Sequence, residues 1–333
     1  MCNKQPDGEL LRVHPPVLLK ADDPLYRMPD PDSMGYVFLM PEGPRQINEA
    51  GDVFYIKDAR VAYHDHSRGY ETFLIDGGAV ESTLNHKQCV MEKGDLMHIR
   101  PGVHHGFHHL VENTIWREVF QEIDMYNSCN QRDILRELRP EILADPEFQA
   151  SRRKRLGTNY REMPLARVVD KHEISQVRPH GCALRSFCFS GMELGLKVGR
   201  WETDGVREIW EFRFPKGTTL EFARPFDSSP LYAVMEGAVQ ADLFDGMDVY
   251  TAQERDFLHI PAYTPHSLTI MEENTRIFAY NVQSELLNAL EALHAEFTRR
   301  PEQMGNWPWI EQVLREYDCW LTGIKFSGQE VNQ

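Results

Sequence analysis

From about residue 35 to residue 120 the chain sets short apolar runs between turn residues. Tyr36-Val37-Phe38-Leu39-Met40, Val53-Phe54-Tyr55-Ile56, Thr72-Phe73-Leu74-Ile75, Leu96-Met97-His98-Ile99 and Ile115-Trp116-Arg117-Glu118-Val119-Phe120 are mostly β-branched or aromatic, bounded by Gly, Pro, Asp or Asn. Runs this short and this spaced predict an antiparallel barrel or sandwich of the jelly-roll class. Between 131 and 157 the period changes. Ile134, Leu135, Leu138, Ile142 and Leu143 recur at helical spacing amid many charges, which predicts a helical connector broken near Pro140 and Pro146. The run Arg152-Arg153-Lys154-Arg155 before Gly157 reads as a solvated helix end rather than an anion site. Strand-like text returns at Gly181. After Ser284, Leu286, Leu287, Leu290, Leu293 and Phe297 predict an amphipathic helix ending near Arg300-Pro301, and a second runs from about Trp309 to Trp320. Residues 1–34 hold six prolines and little periodicity, and read as an arm over the surface or a neighbouring subunit.

The later strands repeat the earlier ones. Asp95-Leu96-Met97-His98-Ile99 aligns with Asp256-Phe257-Leu258-His259-Ile260, and His105 with His266, all at one offset of 161 residues. An internal duplication follows, and with it two related barrels. The expected organisation is an arm (1–34), a first barrel (35–130), a helical connector (131–180), a second barrel (181–283) and C-terminal helices (284–333). The class is mainly β. His98 and His259, being repeat-equivalent, suggest a structural task common to both barrels, whereas His86, His172 and His180 suggest no task.

Composition narrows the partners. At 333 residues, 41% hydrophobic and 26% charged, the chain suits a soluble globular protein of about two domains, with no apolar run long enough to span a membrane. A formal charge of −15, from 36 basic and 51 acidic residues, repels phosphate backbones and argues against nucleic-acid binding. An anionic substrate would need local arginine or histidine. The N-terminus lacks the apolar core of a signal peptide, so a cytoplasmic setting is expected. The six cysteines form no CxxC pair and read as reduced thiols.

The candidate chemistry lies in Tyr63-His64-Asp65-His66-Ser67-Arg68-Gly69-Tyr70-Glu71 and in Arg100-Pro101-Gly102-Val103-His104-His105. Histidines at i and i+2 share one face of a strand and aim at one point. Ser67-Arg68-Gly69 lets the chain turn and bring Glu71 back on the neighbouring strand. Two imidazoles and a carboxylate suit Fe, Mn, Ni, Zn or Cu with open positions left over, and His105 is the natural fourth ligand.

The two runs resemble the paired signature of the cupin superfamily, written G-x5-H-x-H-x3,4-E-x6-G and G-x5-P-x-G-x2-H-x3-N. His64, His66, Glu71 and Gly78 fit the first; Gly94, Gly102 and His105 fit the second. Asp58 stands in place of the first glycine, Arg100 in place of the proline and His109 in place of the asparagine. The resemblance implies two cupin-type jelly-roll barrels, with one divalent metal, Fe(II) first among the candidates, on His64, His66, Glu71 and His105. In the second barrel the matching stretch, Ala223-Arg224-Pro225-Phe226-Asp227-Ser228-Ser229-Pro230-Leu231, has no histidine, so that barrel is expected to be metal-free, serving as scaffold, dimer surface or a separate small-molecule pocket.

Beside the ligands, strand alternation suggests that one or two of His104, His108 and His109 face the cavity, with His104 as general acid or base. Arg100 and Arg68 are candidates for holding an anionic group, and Glu71 could leave the metal to act as a base. Tyr63 and Tyr70 read as packing. Two-barrel cupins of this length include dioxygenases that cleave hydroxylated aromatic or flavonol rings, and this is the leading expectation, with a homodimer or larger homo-oligomer. An O2-independent isomerase, lyase, decarboxylase or hydrolase of a small hydroxy-carbonyl compound is the alternative, and a non-enzymatic binding protein the third.

Overall fold

Thirteen strands build the barrel that holds the candidate ligands, in two sheets that face one another. The computed structural model describes residues 2–4, 10–12, 18–30, 32–39, 47–123, 125–189, 191–205, 207–222, 229–243, 246–262, 264–282, 285–319 and 321–325. In chain order the strands are β1 (Tyr26–Asp30), β2 (Ser33–Leu39), β3 (Ile47–Tyr55), β4 (Arg60–His66), β5 (Tyr70–Gly77), β6 (Ala79–Leu84), β7 (Lys87–Glu92), β8 (Leu96–Ile99), β9 (His105–His109) and β10 (Thr114–Gln121). Three short ones follow, β11 (Thr158–Tyr160), β12 (Arg167–Val168) and β13 (Val177–Arg178). One sheet has the order β11-β4-β9-β6-β7-β12; the other has β13-β8-β5-β10-β3-β2-β1. Their inner faces close on a core of Val37, Val53, Phe73, Ile75, Phe107, Trp116 and Phe120.

Residues 22–185 and 197–206 form one compact unit; 1–21, 186–196 and 207–333 form the other. Among the described residues, the second unit has sheets of seven, five and two strands. It repeats hydrogen bonds of the first at the offset seen in the sequence. The Asp95 carboxylate accepts from Glu92 N at 2.8 Å, and that of Asp256 from Gln253 N at 3.0 Å. Nδ1 of His105 lies 2.9 Å from Val103 O, and Nδ1 of His266 lies 2.9 Å from Thr264 O. The duplication is therefore one of backbone turns as well as letters.

Several expectations need correction. Of 131–180, only the first part is helical, with α1 (Met125–Leu138), α2 (Pro140–Ala144) and α3 (Pro146–Leu156). Pro140 and Pro146 open α2 and α3 instead of merely interrupting a helix, because the first helical position needs no N–H. Residues 158–178 add edge strands to the two sheets; runs of two or three residues are too short to show alternation. Of the expected arm, Tyr26–Asp30 pairs with β2, and Leu18–Leu19 pairs with Phe257 and Leu258. The two C-terminal helices are α4 (Leu286–Arg299) and α5 (Trp307–Glu316), the latter ending before Asp318, whose φ is 54°. Beyond α5, Leu321–Lys325 is a further strand paired with Thr219–Phe222. Ser284, Trp320 and residues 223–228 of the histidine-free stretch lie outside the described residues.

Candidate metal centre

On β4, His64 and His66 point into the barrel because they are two residues apart on one strand. His105, on the adjacent β9, is the register partner of His64. Glu71 is the second residue of β5, but β5 is hydrogen-bonded to β8 and β10 and not to β4. The expectation that Glu71 returns beside the histidines is corrected accordingly: the turn at Ser67–Gly69 crosses from one sheet to the facing one, and the carboxylate meets the imidazoles across the barrel interior. One ligand atom from each of His64, His66, Glu71 and His105 lies within 4.8 Å of the others, and all four residues are buried.

Each imidazole is tethered through Nδ1. His64 Nδ1 is 2.7 Å from Ala62 O, His105 Nδ1 2.9 Å from Val103 O, and His66 Nδ1 3.3 Å from both Leu156 O and Thr158 Oγ1. A carbonyl only accepts, so Nδ1 carries the proton and Nε2 presents a lone pair. The Nε2 atoms of His64 and His66 face each other at 3.2 Å. Glu71 Oε2 lies 3.0 Å from His105 Nε2, yet both atoms are buried without a hydrogen-bond partner. Lone pairs brought together out of water repel unless a cation or a proton stands among them. The residues therefore fit a divalent cation, and three neutral imidazoles with one carboxylate are a donor set for Mn, Fe or a neighbouring first-row metal.

Electrostatics agree. Burial, together with the charge of His105, pushes the His64 imidazolium down to about 4. Burial would lower His66 as well, but the hydrogen bond and charge of Glu71 outweigh it and raise it. Burial alone would raise the Glu71 carboxyl; His105 and His66 overcome it and hold the group well below the usual carboxylate range. A divalent cation at these four residues would therefore compete with a proton favoured on His66 by Glu71, while finding Glu71 already ionised. Metal affinity is expected to rise with pH, by about tenfold per unit while one proton is displaced, and to fall on acidification. Calorimetric titration of the apoprotein between about pH 5.5 and 7.5, in buffers of different ionisation enthalpy, reads both the slope and the proton released; a flat profile would contradict it.

The other expected site residues lie elsewhere. His104 Nε2 is 3.0 Å from Asp65 Oδ2, and its ring stacks on Tyr63. Asn159 Nδ2 donates to the Asp65 carboxylate at 2.9 Å. Alternation explains this: Asp65 and His104, each next in sequence to a ligand, project from the opposite side of the sheet. Arg100 is exposed at the start of the turn closed by Val103 N to Arg100 O and does not line the cavity. Arg68 is likewise exposed and donates to Arg155 O. His108 turns outward to Asp58 and Glu81. His109 does face inward, stacked 3.7 Å from Tyr55, and burial lowers it to about 3. His98 bonds Thr72 Oγ1 at 3.0 Å, away from the cavity.

Three of the four candidate ligands, His64, Glu71 and His105, line a cavity of about 420 Å³ within this unit. Trp116, Glu118 and Phe120 project into it from alternate positions of β10, with Tyr55 from β3, Phe73 from β5 and Phe107 from β9. Helices α1 and α3 contribute Cys129, Arg132, Arg152, Arg153 and Leu156, and β11 contributes Thr158 and Tyr160. Sequence reasoning missed this wall. The basic run was visible, and Arg153, Lys154 and Arg155 are exposed as expected of a helix end, but Arg152 is half-buried and lines the cavity together with Arg153.

No protein-family model and no curated protein sequence matches the chain. Solved structures do. An oxalate decarboxylase of Lactobacillus farciminis, in a formate complex, superposes with a TM-score of 0.52 at 13% identity, covering 82% of this chain and 88% of that one. The oxalate decarboxylase of Bacillus subtilis, in work on its Mn(II) centres, gives 0.51 at 13% identity over 82% and 79%. The same Bacillus subtilis enzyme at pH 4.6 gives 0.51 at 13% identity over 82% and 78%. These likenesses establish the fold.

Proposed function

We propose that this chain, which has the two-barrel cupin fold, is a metal-dependent enzyme that removes a carboxyl group from a small organic acid, with its active centre at His64, His66, Glu71 and His105. The observation that carries the reading is the convergence of unpartnered lone-pair atoms, Glu71 Oε2 and His105 Nε2 among them, at the wall of a substrate-sized cavity. Ring cleavage by O2, the leading expectation from the sequence, draws no support from the comparisons, and neither does iron. Manganese, present in one of the similar decarboxylases, is the first metal to test. The second barrel is proposed to be metal-free: His266 is buried against Phe222, and the stretch 223–231 that would supply its companions holds no histidine.

A divalent cation held by the four ligands would act as a Lewis acid toward substrate oxygens. The chain supplies the rest. The aromatic wall of Phe73, Phe107 and Trp116 excludes water from the reacting carbon. When the bond to the carboxyl carbon breaks, CO2 leaves and the bonding pair stays on the substrate carbon, which must then take a proton. Glu118, buried and on the cavity wall between Trp116 and Phe120, is the carboxyl group placed to hold and deliver it.

The test is CO2 release and loss of the carboxyl signal by carbon NMR, with oxalate and a panel of 2-hydroxy and 2-oxo acids on Mn-loaded protein; O2 uptake stoichiometric with substrate would return the dioxygenase reading. Glu118→Gln is expected to lower turnover by about 10²–10⁴ while leaving metal content unchanged. Elemental analysis beside steady-state kinetics separates those two effects.

A further inference from the structure

Three arginines of the connector helices, Arg132, Arg152 and Arg153, line the same cavity as the candidate metal ligands, and of these Arg153 is exposed. Arg152, on α3, is fixed by its Nε donating to the buried Ser128 Oγ at 2.8 Å, and among the described residues its Nη groups have no hydrogen-bond partner. It lies one helical turn, about 6 Å of rise, before Leu156, whose carbonyl lies against Nδ1 of the ligand His66. Arg132, on α1, is oriented by Asp133 at 3.2 Å. In a chain of net charge −15, these guanidinium groups, which share the wall with the carboxylates of Asp32 and Glu118, are the cations an anion would meet in this cavity. Trp116, also on the cavity wall, has Phe73 stacked on it at 4.8 Å and Phe107 and Tyr55 in T-shaped contact at 4.8 and 4.9 Å, an aromatic wall suited to a flat ring.

A cavity of about 420 Å³ belongs with pockets for drug-sized ligands, roughly 300–1,000 Å³, and exceeds the needs of a two-carbon diacid. Resting on the metal-centre reading above, we infer that the substrate is a ring-bearing acid with a second carboxylate. Its 2-hydroxy or 2-oxo acid end lies at the metal ligands, its ring lies against Trp116, and its distal carboxylate is held by Arg152 and Arg132. Guanidinium forks suit a carboxylate because two parallel N–H groups match its two oxygens.

The test compares mandelate with 4-carboxymandelate, which share the chelating end and the ring and differ only in the distal carboxylate. Both are titrated calorimetrically into Mn-loaded full-length protein. Wild type is expected to bind 4-carboxymandelate at least tenfold more tightly, and R132M/R152M to reduce that preference below twofold, with metal content unchanged. Equal affinities in wild type, no binding of either probe to metal-loaded protein, or an undiminished preference in the double variant would each overturn the inference while leaving the metal centre standing. Failure of wild type to retain any divalent metal would overturn the metal centre and the inference together. The wild-type comparison decides the matter even where the double variant does not fold.

Discussion

His105→Ala should leave the purified protein folded and nearly metal-free. Removing an outer partner of a ligand weakens metal affinity by about 10–100-fold, and removing a ligand itself should do more, so bound metal after dialysis should fall below about a tenth of the wild-type content. A second readout is thermal. A metal that binds only the native state at 100 times its Kd adds about 2.7 kcal/mol, or roughly 5–10 °C for a unit of this size. Wild type should gain that shift on adding Mn(II), whereas His105→Ala should gain none. Two histidines serve as controls. His104→Ala should keep the metal because its ring serves Asp65 on the other side of the sheet. His266→Ala should keep it as well if the second barrel is metal-free. Metal-dependent stabilisation that survived in His105→Ala would remove the centre, and with it the decarboxylase proposal.

The contrast between those histidines shows what the sequence could and could not display. Spacing of two along a strand is a local property, so His64 and His66 were legible, and Ser67-Arg68-Gly69 showed that the chain turns. Even the departure at Asp58 is consistent with the turn it replaces: its φ of 66° is the left-handed backbone that a glycine would take most easily. Which sheet Glu71 joins was not legible, because that depends on pairing with Ile99 and Phe120 rather than on its own turn. Leu156 O and Thr158 lie about 90 residues from His66, and no local pattern announces that contact. The basic run posed the same difficulty from the other side. A helix end rich in arginine looks alike in sequence whether its side chains meet water or a cavity, and only the packing of α3 beside β11 separates Arg152 from Lys154.

The turn that delivers Glu71 supplies the second large effect. Gly69 has a φ of +82°, and a Cβ built there would lie 2.4 Å from Ile123 Cγ1 and 2.6 Å from Gln121 O. The first contact could ease by a side-chain shift, but the second is with a backbone carbonyl at the end of β10, paired to Tyr70. Gly69→Ala therefore carries about 1–2 kcal/mol of left-handed backbone strain and about 1–3 kcal/mol of overpacking, a loss of roughly 2–5 kcal/mol. Gly102 isolates the first component. Its φ is +77°, and nothing lies within 4 Å of its Cβ position, so Gly102→Ala should cost only the strain. Urea unfolding of the metal-free variants should place Gly69→Ala well below Gly102→Ala. Metal titration of the folded fraction should show weaker binding for Gly69→Ala, because relief of the clash moves the start of β5 and the Glu71 carboxylate with it. Equal losses in the two variants would mean that the crossing between the sheets is looser than its contacts imply, and that Glu71 is not held in place by this turn.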